Sequence, residues 1–217
     1  MQAILFDLDG TMVHSDPVHA AVFVDLMADY GQTIDASYYV SHLHGRLNVD
    51  IFAQLLPDED PHAMADHKEA MYRERLDEVK IIPGLPAFLD KARARGVKLG
   101  VVTNAPRLNA IAVLKAVGLA DAFDTVVIGD ECARGKPDPL PYLTGLANLG
   151  AEAAHAFALE DSPSGISAAK GAGLYTFGVR SSLGTDTLLG AGANDTIDDY
   201  NDTALHTYLD RLTGASA

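Results

Sequence analysis

Cysteine is almost missing from this chain of 217 residues, which holds one, Cys132. A single thiol excludes an internal disulfide and suits a reducing cytosol, so a cytoplasmic location is expected. Cys132 lies in "GDECARGKPDP" without a CxxC partner and reads as a bystander. There is no apolar run of about 18 residues, so no membrane span is expected. The start, "MQAILFDLDG", lacks a basic n-region and is broken at once by acids, which argues against a signal peptide. Basic residues are scarce: 16 Lys and Arg stand against 30 Asp and Glu, for a net charge of −14. That balance argues against nucleic-acid binding through a broad basic face, and an anionic substrate would need a locally positive pocket. Internal repeats and low-complexity segments are absent too. His42 and His44 are two apart but have no third ligand nearby, and no HExxH or CxxC occurs, so a zinc site is not expected. "GANDTIDDYND" lacks the EF-hand pattern and is expected to close the last strand and its turn. The glycines of "KGAGLYTF" read as a helix cap leading into a strand rather than a dinucleotide fingerprint.

What is present begins with an apolar fraction of 48%, enough for one large domain or a core with a small second domain. The first apolar run, "ILFDLDGT", stops at Asp7 and Asp9 with one leucine between them. In a strand these two side chains would point the same way. Two carboxylates side by side repel, so a cation must lie with them or one must keep a proton. The Gly-Thr that follows lets the backbone turn sharply.

From Pro17 to about Val79 the spacing is helical and no strand is convincing: "PVHAAVFVDLMADYG", "NVDIFAQLL" and "PHAMADHKEAMYRERLDEV" read as helices. After the turn and helix of "IIPGLPAFLDKARARG" strands and helices alternate. Strands are predicted at 2–6, 97–103, 123–129, 155–160 and 174–179, with helices at about 107–117, 139–149 and 164–172. "DTALHTYLDRL" makes a last helix, and "TGASA" reads as a frayed tail. The fold class is therefore α/β: a doubly wound, Rossmann-like parallel sheet, at 1–15 and 81–217, with a small all-helical cap domain inserted at 16–80.

Such sheets bind ligands at the carboxyl ends of their strands. Polar residues gather there: Asp7 and Asp9 after the first strand, Thr103 and Asn104 after the second, Lys136 beyond the third, and Glu160 and Asp161 after the fourth. Several carboxylates with one lysine suggest a hard cation and a phosphate. Mg²⁺ takes one or two carboxylates, waters and substrate phosphate. Asp7 and Asp161 are the natural direct ligands, and Glu160 could act through water. Asp7, at the rigid strand end, is the better nucleophile for an aspartyl phosphate. Asp9, beyond it, could protonate the leaving oxygen and then activate water. Thr103 and the Asn104 N–H could hold phosphoryl oxygens, while Lys136 neutralises charge on Asp7 and the phosphoryl group.

On these residues the chain resembles the haloacid dehalogenase superfamily: "DLDGT", "VVTN", "GKPDP" and "LEDSPSG" match its four motifs in order, over nearly the whole chain. The resemblance implies Asp7 as nucleophile and Asp9 as acid and base, with the Asp9 backbone carbonyl also on Mg²⁺. It puts Thr103 and Lys136 on the phosphoryl group and Asp161 on the metal. Dehalogenases of the superfamily lack the second aspartate, so "DLDGT" argues for a phosphatase. The branch with beta-phosphoglucomutase and the sugar-phosphate and phosphoglycolate phosphatases is similar in "SDPVH", where His19 matches a hinge histidine. In the same branch Arg46 of "HGRLN" matches a cap arginine for a second phosphate or carboxylate, and Lys68 of "HKEAMY" matches a cap lysine. The expected activity is Mg²⁺-dependent hydrolysis of a small phosphorylated metabolite, with no protein partner predicted. A phosphohexose mutase of the beta-phosphoglucomutase type is the alternative. A non-catalytic binding protein on this fold is a distant third, because it would be expected to lose Asp7 or Asp161.

Overall fold

The computed structural model describes residues 1–43 and 46–214. His44 of the histidine pair and 215–217 of the expected tail lie outside these residues. Two compact units emerge, one of Met1–His14 with Ile81–Ala217 (unit 1) and one of Ser15–Lys80 (unit 2). Among the described residues no helix is long and apolar enough to cross a membrane.

Unit 2 is helical: α1 (Asp16–Asp29), α2 (Ala36–Tyr38) with a π-helical turn at Tyr39–Leu43, α3 (Asn48–Leu55) and α4 (Pro61–Arg73). The start of α4 is set locally. Asp60 accepts the His62 N–H at 2.9 Å, and Pro61 fills the first helical position, where no N–H is needed. Phe23, Leu26, Met27, Ile51, Phe52 and Met64 form its apolar core, with the Phe23 and Phe52 rings stacked at 5.5 Å. The sequence reading left 36–43 unassigned. Its two turns, of 3 and 5 residues, are too short for a helical period to register.

In chain order the strands are β1 (Ala3–Phe6), β2 (Val13–His14), β3 (Lys80–Ile81), β4 (Lys98–Thr103), β5 (Thr125–Ile128), β6 (Ala156–Glu160), β7 (Tyr175–Val179) and β8 (Asp195–Ile197). Six of them form one sheet in the order β5-β4-β1-β6-β7-β8, and all neighbours run parallel. Phe6 stands opposite Val101 on one side and Leu159 on the other. β1 is central, and the chain winds outward from it through β4 and β5 and, on the other side, through β6, β7 and β8. The crevice of a doubly wound sheet thus opens between β1 and β6. The α/β expectation holds. The sequence reading missed β8, which is three residues long in a polar stretch and gains its place by pairing with β7 at the sheet edge.

The helices of unit 1 are α5 (Leu85–Ala94), α6 (Arg107–Ala116), α7 (Leu140–Leu149), α8 (Pro163–Gly171), α9 (Thr185–Ala191) and α10 (Thr203–Thr213). α9 was not foreseen; only Leu188 of it is buried, so it shows little apolar spacing. Successive residues of β1 face opposite sides of the sheet. Leu5 packs in a cluster with Tyr142, Leu146 and Leu149 of α7 and Ala168 and Ala169 of α8. The Phe6 ring meets Phe88 of α5 at 6.4 Å and Phe123 at 5.8 Å. Each fully buried side chain of this size stabilises the fold by about 1.5–3 kcal/mol relative to exposure, and packing on both faces makes the strand ends a rigid platform.

Candidate active site

Asp7 follows the last residue of β1, and its N–H still donates to Leu159 O at 3.0 Å, so the sheet holds its backbone. There the strand stops. Met12 N–H donates to Leu8 O at 2.8 Å and Gly10 N–H to Val13 O at 2.9 Å, closing a tight turn. Gly10 has φ of +74°, and a Cβ on it would fall 2.1 Å from Asp161 Oδ2. Only glycine fits both the left-handed backbone and the close approach. Asp9 sits within this turn, beyond the end of β1 as expected, so the same-face alternation of a strand does not extend to it.

Glu160 ends β6, and Asp161 follows it. Thr11, fully buried in the turn, donates its hydroxyl to Asp161 Oδ1 at 3.2 Å. The side chain of Lys136 is also buried, 3% exposed. Its Nζ lies 2.6 Å from Asp7 Oδ1, 2.6 Å from Glu160 Oε1 and 2.7 Å from Val102 O. An ammonium has three protons, and here each has an acceptor. Glu160 Oε1 also accepts the Tyr142 hydroxyl at 2.7 Å, and its Oε2 accepts the Ser162 hydroxyl at 3.2 Å. At the end of β4, Thr103 Oγ1 accepts the Ala105 N–H at 3.0 Å, which leaves the hydroxyl proton to be donated. The Asn104 side chain turns to the Lys136 backbone, donating to its O at 3.4 Å and accepting its N–H at 3.3 Å.

The electrostatics follow from burial. Burial pushes the Asp7 carboxyl up to about 8; Lys136 opposes the rise, and the charges of Glu160 and Asp9 add to it. For Lys136 burial acts downward, but Asp7 and Glu160 outweigh it and hold the ammonium above its ordinary value. One cation therefore serves a cluster of anions. Oxygens of Asp7, Glu160 and Asp161 lie within 4.8 Å of one another and offer a site for a metal ion. A set of donors made only of carboxylate oxygen fits a hard divalent cation.

The structure thus brings Asp7, Lys136, Glu160 and Asp161 together in unit 1. His19 and Lys68 come together in unit 2. Lys68 Nζ is 2.8 Å from His19 Nδ1 and 2.8 Å from Glu69 Oε1, 5.4 Å from the Phe23 ring centre, and nearly buried. Arg46 is exposed in unit 2, with its guanidinium on His42 O at 3.2 Å and Gln54 Oε1 at 2.9 Å. Three groups that touch the cluster were not singled out from the sequence: Thr11, Val102 O and Tyr142. Ser162 carried a local signal, since it precedes Pro163 and caps α8 by accepting the Gly165 N–H at 3.1 Å.

A sequence model of haloacid dehalogenase-like hydrolases matches residues 4–179. The chain belongs to that family. It is 30% identical to a phosphorylated carbohydrates phosphatase of Thermotoga maritima over 89% of this chain and 92% of that one. Against a phosphoglycolate phosphatase of Rhodospirillum rubrum the identity is 33%, over 92% of this chain and 88% of the other. Among solved structures, beta-phosphoglucomutase of Clostridium difficile superimposes with a TM-score of 0.80 at 26% identity, covering 99% of this chain and 97% of that one. All four motifs lie inside the 4–179 match, which takes in the whole of unit 2 and the part of unit 1 that ends with β7.

Proposed function

We propose that the protein is a Mg²⁺-dependent phosphatase that hydrolyses a small phosphorylated metabolite, a sugar phosphate or a phosphoglycolate-like acid, through an aspartyl phosphate on Asp7. The observation that carries this reading is Lys136 Nζ at 2.6 Å from both Asp7 and Glu160, at the strand ends where Asp161 completes the acidic set. Its relatives' phosphatase activities support it. Asp7 and Asp161 would hold the metal directly, together with the Asp9 backbone carbonyl, and Glu160 would act through water. Bound there, Mg²⁺ supplies positive charge that lowers the Asp7 carboxyl and draws phosphoryl oxygens in.

The chain's own groups do the rest. An Asp7 oxygen attacks phosphorus, and the bond from phosphorus to the substrate oxygen breaks. Asp9 gives its proton to that leaving oxygen. A water then attacks phosphorus, Asp9 takes its proton, and the Asp7–phosphorus bond breaks to release phosphate. Lys136 and the Thr103 hydroxyl hold the equatorial oxygens in both steps, with the Asn104 N–H beside them. A panel of phosphorylated metabolites tests the reading: phosphate release supports it. Isomerisation of a sugar phosphate without release would favour a mutase, the second reading, which the likeness to beta-phosphoglucomutase keeps open.

EDTA should silence the enzyme and Mg²⁺ restore it. Ca²⁺ should substitute poorly, because its looser and higher coordination could let Asp7 bind through both oxygens, which would blunt its attack. Full turnover with Ca²⁺ would contradict this geometry.

Substrate choice is assigned to unit 2, with Arg46, His19 and Lys68 as substrate-binding residues. Arg46 is the candidate partner for a second anionic group, since it is exposed and a guanidinium can grip such a group with two donors. In a chain of net charge −14, a second anion on the substrate needs such a partner. Arg46→Ala should weaken kcat/KM for substrates with a distal anion by about 2–4 kcal/mol. An aryl phosphate without one should be turned over nearly as before. Equal loss on both would make Arg46 structural.

A further inference from the structure

Tyr142 has no part in the steps above, yet it touches two of the groups that do. It stands on α7, six positions after Lys136, and is fully buried. Its ring belongs to the apolar cluster with Leu5, Val102 and Leu146. A phenylalanine would fill that volume equally well, and a buried hydroxyl is costly unless it is bonded. The hydroxyl donates to Glu160 Oε1 at 2.7 Å, the same oxygen that receives Lys136 at 2.6 Å. The Lys136 Nζ lies 5.2 Å from the centre of the Tyr142 ring. One side chain therefore bears on both members of the buried pair.

We propose that Tyr142 is a positioning residue, which through its hydroxyl bond to Glu160 holds Lys136 in place while one Lys136 donor passes from Asp7 to the phosphoryl group. The inference rests on the phosphatase reading for its catalytic part. All three ammonium protons are engaged, by Asp7, Glu160 and Val102 O. To reach a phosphoryl oxygen, Lys136 must release one of the three acceptors. Val102 O belongs to the backbone of β4 and does not move. Glu160 is gripped at one oxygen by Tyr142 and at the other by Ser162. It is also walled in, because a Cβ on Gly165 would lie 1.9 Å from its Oε1. Asp7 is the acceptor that changes. When its oxygen bonds to phosphorus it loses charge, and the charge now sits on the phosphoryl oxygens. The third proton follows the charge, while the two fixed acceptors act as the pivot. Without the Tyr142 hydroxyl, Lys136 is the one donor left on Glu160 Oε1 among the described residues, so that end of the carboxylate, held by Ser162 through its other oxygen alone, can shift and carry the ammonium with it.

Two measurements on Tyr142→Phe, which keeps the ring and its packing, test this. In the metal-free wild type the Lys136 ammonium should give a slowly exchanging 15N–1H signal, assigned by its absence in Lys136→Met, and this signal should broaden or vanish in Tyr142→Phe. With Mg²⁺ and a phosphate ester, kcat should fall about 10–100-fold, the usual cost of losing a group that orients a reacting one. KM should change less than about threefold, because the contact matters only once phosphorus is being transferred. An unchanged ammonium signal overturns the proposal. So does a kcat near that of wild type, or a loss carried by KM. If the wild type releases no phosphate from any ester, the phosphatase reading fails, and the ammonium signal still decides whether Tyr142 anchors the pair.

Discussion

Asp7→Asn should abolish turnover, with kcat falling by about four orders of magnitude or more, in the range seen when a covalent nucleophile is removed. The amide is a poor nucleophile and a poor ligand for a hard cation. The fold should survive, because the Asp7 backbone bond to Leu159 O and the packing around β1 do not involve the carboxylate. Acid-quenched wild type should carry a hydroxylamine-labile phosphoryl group, and the variant none; substantial steady-state phosphate release by the variant would rule out the covalent route. The same substitution should also alter stability. The Asp7 carboxyl is raised from 3.8 to about 8, first by burial. Between those values the folded, metal-free protein keeps a proton that the unfolded chain has lost. Stability of the metal-free wild type therefore falls as pH rises from about 4 to about 8 and levels off above it. An amide does not titrate, so Asp7→Asn should lose less over that interval. Denaturant unfolding in EDTA at several pH values measures this. Parallel pH profiles for the two proteins would show that the carboxylate is not held at a cost.

How much of this was readable in the sequence depends on the kind of signal. The sheet was readable because buried parallel strands write continuous apolar runs, as in β1 and β6, separated by helices with their own period. β8 was not, since Asp195–Ile197 has no such run and exists by pairing. Asp7, Lys136 and Asp161 were readable because each lies next to a strand end or a Gly-Pro turn, where a polar residue has no structural reason to cluster. Asp9 was readable as a turn residue beyond the strand from the Gly-Thr after it, but the bonds of Gly10 and Met12 that close this turn are not written in the apolar pattern. Tyr142 was hidden for a different reason. In "LPYLTGL" its ring satisfies the helix's apolar face, so its type and position match an ordinary core residue. Its hydroxyl matters only because Glu160 comes from β6 to meet it, a contact made by the fold over 18 positions of chain. Lys68 shows the converse. Its helix is rich in charge, which favours a solvated face, yet Lys68 is buried between His19 and Glu69.

Asp9→Asn should differ from Asp7→Asn in kind, since it spares the nucleophile. Lys136 keeps its bonds to Asp7, Glu160 and Val102 O, and the Asp9 backbone carbonyl is untouched by the change. What is lost is the proton that Asp9 gives to the leaving oxygen and then takes from water. An aryl phosphate has a leaving group stable enough to depart without that proton, so the first step should persist. It should appear as a burst of aryl alcohol close to the amount of enzyme. Breakdown of the aspartyl phosphate still needs a base, and it should slow by about 10²–10⁴-fold. A sugar phosphate departs as a far more basic alkoxide, so for it both steps should suffer and no burst should be seen. The two substrates therefore separate the roles. Loss of the burst with the aryl ester would place Asp9 in nucleophile positioning instead. Equal losses on aryl and sugar phosphates would count against Asp9 as the acid for the leaving group, and would leave only its role toward water.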